Sequence, residues 1–177
     1  NAQKLDNFSS TLYSDWTDEF STQISVTQKS VETGAISLGN SSNLGDITIL
    51  NLDVDGDGEE GAIAFGSDEF RHSNTLENDL FTVKFDGTYL LDEHTIEFGI
   101  KYDVLDIENQ FLPGSKGIIS FNSLQDFNDQ IASEYSYSNG TGNNPAAVIA
   151  KFSRNDIALY VNDTWDYSDD LILSAGL

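Results

Sequence analysis

The chain has no cysteine and no methionine, two prolines, two histidines and only 8 Lys+Arg among its 177 residues. Each scarcity excludes something. Without cysteine there is no disulfide framework, no thiolate nucleophile and no cysteine-bound zinc. Two prolines are too few for a proline-rich linker. Eight basic residues against 30 acidic ones leave a formal net charge of −22. Such a chain offers no basic patch to nucleic acid and no cationic anchor to anionic lipid, so nucleic acid is not an expected partner. His72 and His94 are the only imidazoles, and no Ser or Thr stands in a recognisable nucleophile–base setting with either, so no enzyme is expected. No apolar run approaches the ~18–20 residues of a membrane helix. Strand-built membrane proteins stay open, because alternation hides their strands from hydropathy.

What the chain does have is aromatic and alternating. Eleven Phe, seven Tyr and two Trp argue against disorder, whose chains are aromatic-poor. From Phe8 to Trp16 one face carries Phe8, Leu12 and Trp16. After Thr17-Asp18-Glu19, Phe20, Ile24 and Val26 repeat the pattern to Lys29. Phe81, Val83, Phe85, Tyr89 and Leu91 share a face, interrupted only by Gly87; past Asp92-Glu93, Ile96, Phe98, Ile100, Tyr102 and Val104 do the same. Ile157, Leu159, Val161 and Trp165 form a fifth run, and Leu171, Leu173, Ala175 and Leu177 a sixth beyond Tyr167–Asp170. Alternating runs joined by tight polar breaks predict antiparallel hairpins over about 8–29, 80–105 and 156–177. The fold class expected is all-β, an up-and-down array of about six strands.

Between the hairpins lie long segments, about 31–78 and 106–151, rich in Gly, Asn, Ser and Asp. Loops of such length are normally functional or disordered. The first carries the apolar run Ile47–Leu52. In the second, Gly117–Phe121 reads as a short strand, and Ser123 as the N-cap of a short helix to about Ser133. Short turns at one end of the strands and long loops at the other are the habit of outer-membrane barrels. Trp16, Phe20, Tyr89, Trp165 and Tyr167 cluster near the short turns, where an interfacial aromatic girdle belongs. A soluble sheet with one buried face alternates too, so alternation alone does not separate the two. Loop asymmetry, girdle placement and the charged faces favour the barrel.

The segment Asp68-Glu69-Phe70-Arg71-His72-Ser73-Asn74, the stretch Leu80–Tyr102 with its "LLDEHTIEFGIKY", and "ALYVNDTWDYSDDLILSAGL" over Ala158–Leu177 resemble TonB-dependent outer-membrane receptors of the Oar-like group. The last is similar to a strand–turn–strand pattern, "LYxxDxW…LxLxxGLR", that recurs in these receptors. The resemblance runs over most of the chain, and its motifs mark barrel hairpins rather than a ligand. It implies a barrel of about 22 strands, plugged inside, that imports scarce substrates with energy relayed by TonB. This chain has about six strands and no plug, TonB-contacting box or C-terminal signature strand. It is therefore expected to be an internal barrel segment, in the bacterial outer membrane or at the cell surface. Its expected partners are the rest of the barrel and its plug, or other copies of itself pairing at strand edges, in the extreme as a filament. TonB would act only through segments absent here, and the transported substrate is not legible. The rival expectation is an extracellular, self-assembling structural β module in which calcium binding is the active feature.

That rival rests on Asp53-Val54-Asp55-Gly56-Asp57-Gly58-Glu59-Glu60. Aspartates at positions 1, 3 and 5 and Gly at 6 match the opening of a calcium loop, where carboxylate oxygens wrap a hard cation. Position 12 is Ala64 rather than a bidentate Glu, and position 9 is Gly61. Asp53, Asp55, Asp57 and Glu59 are the candidate Ca2+ ligands, against the alternative of a solvated acidic turn. His72 is read as a structural hydrogen-bonding residue or a ligand contact, and His94 as a turn residue. Lys84, Asp86, Glu97, Lys101 and Asp103 are candidates for lumen-lining ion pairs.

Overall fold

The structure, a computed structural model, describes residues 2–35 and 44–177. Six strands form one open antiparallel up-and-down sheet: β1 (Ala2–Asp15), β2 (Phe20–Gly34), β5 (Asn74–Leu91), β6 (His94–Phe111), β9 (Ala150–Ser168) and β10 (Leu171–Gly176), paired in that order. The all-β, up-and-down class expected from the alternation is the class observed. Between them in the chain lie β3 (Asp46–Leu52), β4 (Gly61–Gly66), β7 (Ile118–Phe121) and β8 (Glu134–Ser136), which make a second sheet in the order β4-β3-β7-β8. A short helix, α1 (Leu124–Asn128), follows β7.

The chain divides into two compact units. One comprises residues 1–4, 32–77 and 108–151, the other residues 5–31, 78–107 and 152–177. The first unit has a conventional core. Its β3 pairs antiparallel with β4 and parallel with β7, setting Ile49 opposite Ile63 and Phe121. Ile49 and Phe121 are buried, and Phe127 of α1 meets Phe121 and Phe65 edge-to-face at 5.2 and 5.8 Å. Ser123 caps α1: its hydroxyl accepts the Asp126 N–H at 3.0 Å and donates to the Asp126 carboxylate at 2.7 Å. The helix stops well short of Ser133, because Gln130 adopts a left-handed φ of 60°.

The second unit is built differently. It holds the tight turns: Trp16 and Thr17 donate backbone N–H groups to the Phe20 carbonyl at 2.9 and 3.3 Å, a two-residue turn Asp92-Glu93 joins β5 to β6, and Asp169-Asp170 joins β9 to β10. A register shift at Leu171/Ile172 marks a bulge beside the last turn, after which Leu173 faces Trp165 and Ala175 faces Asp163. Among the described residues, no apolar side chain of this unit is buried. Stable domains normally pack two layers around a core. This unit is a single layer.

Candidate functional site

The two faces of the six-stranded sheet are chemically unlike, and strand alternation alone sorts the side chains between them. One face is apolar. Phe85 packs on Phe98 with ring centroids 6.3 Å apart, and Gly87 completes the contact: a Cβ there would stand 2.4 Å from the Phe98 ring. Along this face Phe8 is 65% and Leu159 72% exposed, large apolar groups with no protein over them.

The apolar band has two borders. Two positions beyond its last apolar residue, away from the tight turns, each strand except β10 places a polar side chain on that same face. These are Asp6 beyond Phe8, Gln28 beyond Val26, Asp79 beyond Phe81, Asp106 beyond Val104 and Asn155 beyond Ile157. At the tight-turn end the border is aromatic. Phe20 meets Tyr89 edge-to-face at 6.3 Å, Trp165 meets Tyr167 at 4.9 Å, and the Trp16 indole N–H donates to Thr22 at 2.9 Å. From Phe81 to Leu91 the band covers ten residue steps. At ~3.3 Å per step that is about 33 Å along β5.

The opposite face is a polar network. Lys84 pairs with Asp86 at 2.8 Å, and Lys101 with Asp103 at 2.7 Å, each between alternate residues of one strand. The Tyr160 hydroxyl donates to Asp86 at 2.6 Å, and the Thr82 hydroxyl to Asp103 at 2.6 Å. Asn162 donates to Glu97 at 3.3 Å. All five charged residues singled out in the sequence therefore lie in this network. Tyr160 and Thr82 were missed, although Tyr160 stands among the polar positions of its own alternating run. Gly99 makes room for Tyr160: a Cβ there would lie 2.5 Å from the phenol ring and 2.6 Å from the Phe85 carbonyl oxygen.

His94 lies half-buried on the apolar face. Its Nδ1 lies 2.8 Å from Asp163, and its ring stacks on Trp165 at 5.3 Å and 10°. The cue in the sequence was Asp163 itself, an acid at an apolar position between Val161 and Trp165. His72, in the other unit, is 7% exposed. Its Nε2 reaches the Ser67 carbonyl at 2.9 Å and its Nδ1 accepts the Lys116 N–H at 3.1 Å. The neutral tautomer protonated at Nε2 satisfies both bonds, so the ring ties two loops together.

The acidic turn also lies in that unit. Asp53 accepts the Gly56 N–H at 2.7 Å and the Gly58 N–H at 3.2 Å, while Asp57 accepts the Glu59 N–H at 2.8 Å. Gly56 and Gly58 take left-handed φ values of 82° and 86°, which wraps the loop over Asp53. Carboxylate oxygens of Asp53, Asp55 and Asp57, one from each, all lie within 4.8 Å of one another. The Glu59 carboxylate is outside that group, and all four side chains are exposed.

The fold and its faces define an open, two-faced antiparallel β-sheet protein with a second small sheet. No protein-family model, no curated protein and no solved structure matches the chain.

Proposed function

We propose that this chain is a length of wall from a bacterial outer-membrane receptor barrel of the TonB-dependent kind, with the unit of 5–31, 78–107 and 152–177 in the bilayer. The observation that carries the reading is a single-layer sheet whose apolar band is bordered by aromatics at the tight turns and by polar residues at the other end; on β5 its ~33 Å of strand, at the ~40° tilt of a barrel strand, would give the ~25 Å height of a lipid-facing belt. Water would leave that band uncovered, and a chain this acidic would have to rely on another layer to bury it. Lipid covers it without one. The Lys84–Asp86–Tyr160 and Lys101–Asp103–Thr82 groups then face the lumen, where paired charges are tolerated. The outer edges of β1 and β10 need further strands, because unpaired backbone groups in hydrocarbon cost several kcal/mol each. Those strands come from the remainder of the barrel or, for this chain alone in detergent or lipid, from other copies of itself pairing edge to edge. Substrate uptake is the function of the whole receptor, to which this segment supplies wall and outer loops. The test is detergent dependence: the chain should fold only with detergent or lipid, and a monomer that folds in plain buffer would overturn the reading.

The convergence of Asp53, Asp55 and Asp57 favours a second reading, an extracellular self-assembling module that binds calcium. Here Ca2+ should bind the folded chain and raise its unfolding midpoint, and Asp55→Asn should abolish both effects. Sedimentation with and without chelator would reveal any calcium-dependent assembly.

A further inference from the structure

Phe20, Tyr89 and Phe98 come together on the apolar face beside the first tight turn. With Thr17 and Glu19 they line a shallow depression of about 530 Å3. Its floor is Phe98, whose ring lies across Gly87. Its wall is the edge-to-face pair of Phe20 and Tyr89. Its rim is held by the turn: the Thr17 hydroxyl accepts the N–H groups of Glu19 and Phe20, both at 3.1 Å, and lies 3.0 Å from the Glu19 carboxylate, to which it donates. The Leu90 N–H donates to the Glu19 carbonyl at 2.8 Å. One positioned carboxylate beside aromatic rings is the chemistry that recognises an ammonium group, through charge and through attraction to the ring faces.

The surroundings agree in sign. Residues 13–21 and 88–96 contain Asp15, Asp18, Glu19, Asp92 and Glu93 and no Lys or Arg, so the rim attracts cations and repels bare anions. A metal ion would want an oxygen cage rather than aromatic walls. Tyr89 and Phe98 also belong to the apolar band, so a ligand seated here continues directly onto Phe85. That continuity calls for a cation carrying hydrocarbon. We propose that this depression binds the ammonium headgroup of a zwitterionic phospholipid, ethanolamine or choline, whose acyl chains lie along the apolar face. The proposal rests on the membrane-wall reading and names the lipid partner of that wall.

The experiment uses the full chain with Trp165→Phe in vesicles of matched acyl chains. Trp16, whose backbone N–H donates to the Phe20 carbonyl and whose indole N–H donates to Thr22, both at 2.9 Å, then reports on the depression. Brominated phosphatidylethanolamine, phosphatidylglycerol or an uncharged galactolipid is added as the minority lipid, and quenching gives relative association constants. Phosphatidylethanolamine should associate about three- to five-fold more strongly than either of the others. Glu19→Gln and Tyr89→Leu should each remove most of that preference, and Asp79→Asn, at the far border, should leave it intact. Equal association of all three lipids, parity of phosphatidylethanolamine with the galactolipid, or a preference that survives both substitutions would overturn the headgroup site while the wall reading stands. Tryptophan emission that fails to shift to the blue and is quenched by no lipid would overturn the wall reading and the site with it.

Discussion

Gly99 and Gly87 hold mirror-image places on the two faces of one hairpin, and they should answer differently to the same methyl group. At Gly99 an added Cβ meets backbone, the Phe85 carbonyl oxygen at 2.6 Å, as well as the Tyr160 ring. At Gly87 it meets only the far end of the Phe98 ring, which can turn aside. Gly99→Ala should therefore cost about 1–3 kcal/mol and Gly87→Ala less than about 1, read as a shift in denaturant midpoint at constant slope. His72 offers a second residue-scale test. His72→Phe keeps a ring but deletes the hydrogen bonds to the Ser67 carbonyl and the Lys116 N–H, and bonds of this kind contribute about 0.5–1.5 kcal/mol each. The loss should appear as faster amide exchange in the unit of 32–77 and 108–151. His72→Gln, which retains a donor and an acceptor, should recover part of it. The sequence suggested a structural histidine here, but its partners were hidden, since Lys116 lies far along the chain and nothing local points to it.

At the scale of elements, what could be read was what alternates. The hairpin expected over 80–105 is present, but β5 begins at Asn74 and β6 runs to Phe111. The strands outlast the pattern because hydrogen bonding continues where the apolar face turns acidic, at Asp79 and Asp106, and hydropathy loses the signal there. The same happens at Asp6 in β1. The small sheet was half legible: Ile47–Leu52 and Gly117–Phe121 stood out, whereas the apolar run Ala62-Ile63-Ala64-Phe65 of β4 was not singled out and Glu134–Ser136, at three residues, is too short to read as a strand. The parallel pairing of β3 with β7 joins segments distant in sequence, and nothing in either segment specifies the other. The helix start was legible from its cap. Ser123→Ala removes the bonds to Asp126 and should cost about 1 kcal/mol, with amide exchange accelerating at Phe127 and Asp129, whose N–H groups bond Ser123 and Gln125. The candidate metal ligands were legible as a motif, yet only Asp53, Asp55 and Asp57 converge, because Glu59 lies beyond the left-handed Gly58.

For the whole molecule the deciding question is what solvent the apolar band meets, and substitution by depth answers it. Val161 lies near the middle of the band on β9, Ile157 at its polar border, and Asn162 on the opposite face. Val161 and Ile157 are both substantially exposed, at 44% and 69%. In water, an arginine at either exposed position is close to neutral, since surface substitutions usually stay within about 0.5 kcal/mol. In a bilayer the costs separate, because a cation on the lipid face is penalised by about 2–4 kcal/mol at the midplane and by about 0–1 near the interface. Val161→Arg should then impair folding into vesicles strongly, Ile157→Arg only slightly because the side chain can reach the headgroups, and Asn162→Arg little, on a face that already carries Lys84 and Lys101. Folding yield, measured by the blue shift of tryptophan emission across the three variants, gives the ranking. A steep dependence on position along β9 belongs to a wall in lipid. Three equal yields would mean that water meets both faces, and the sheet would then have to find its missing layer in another protein.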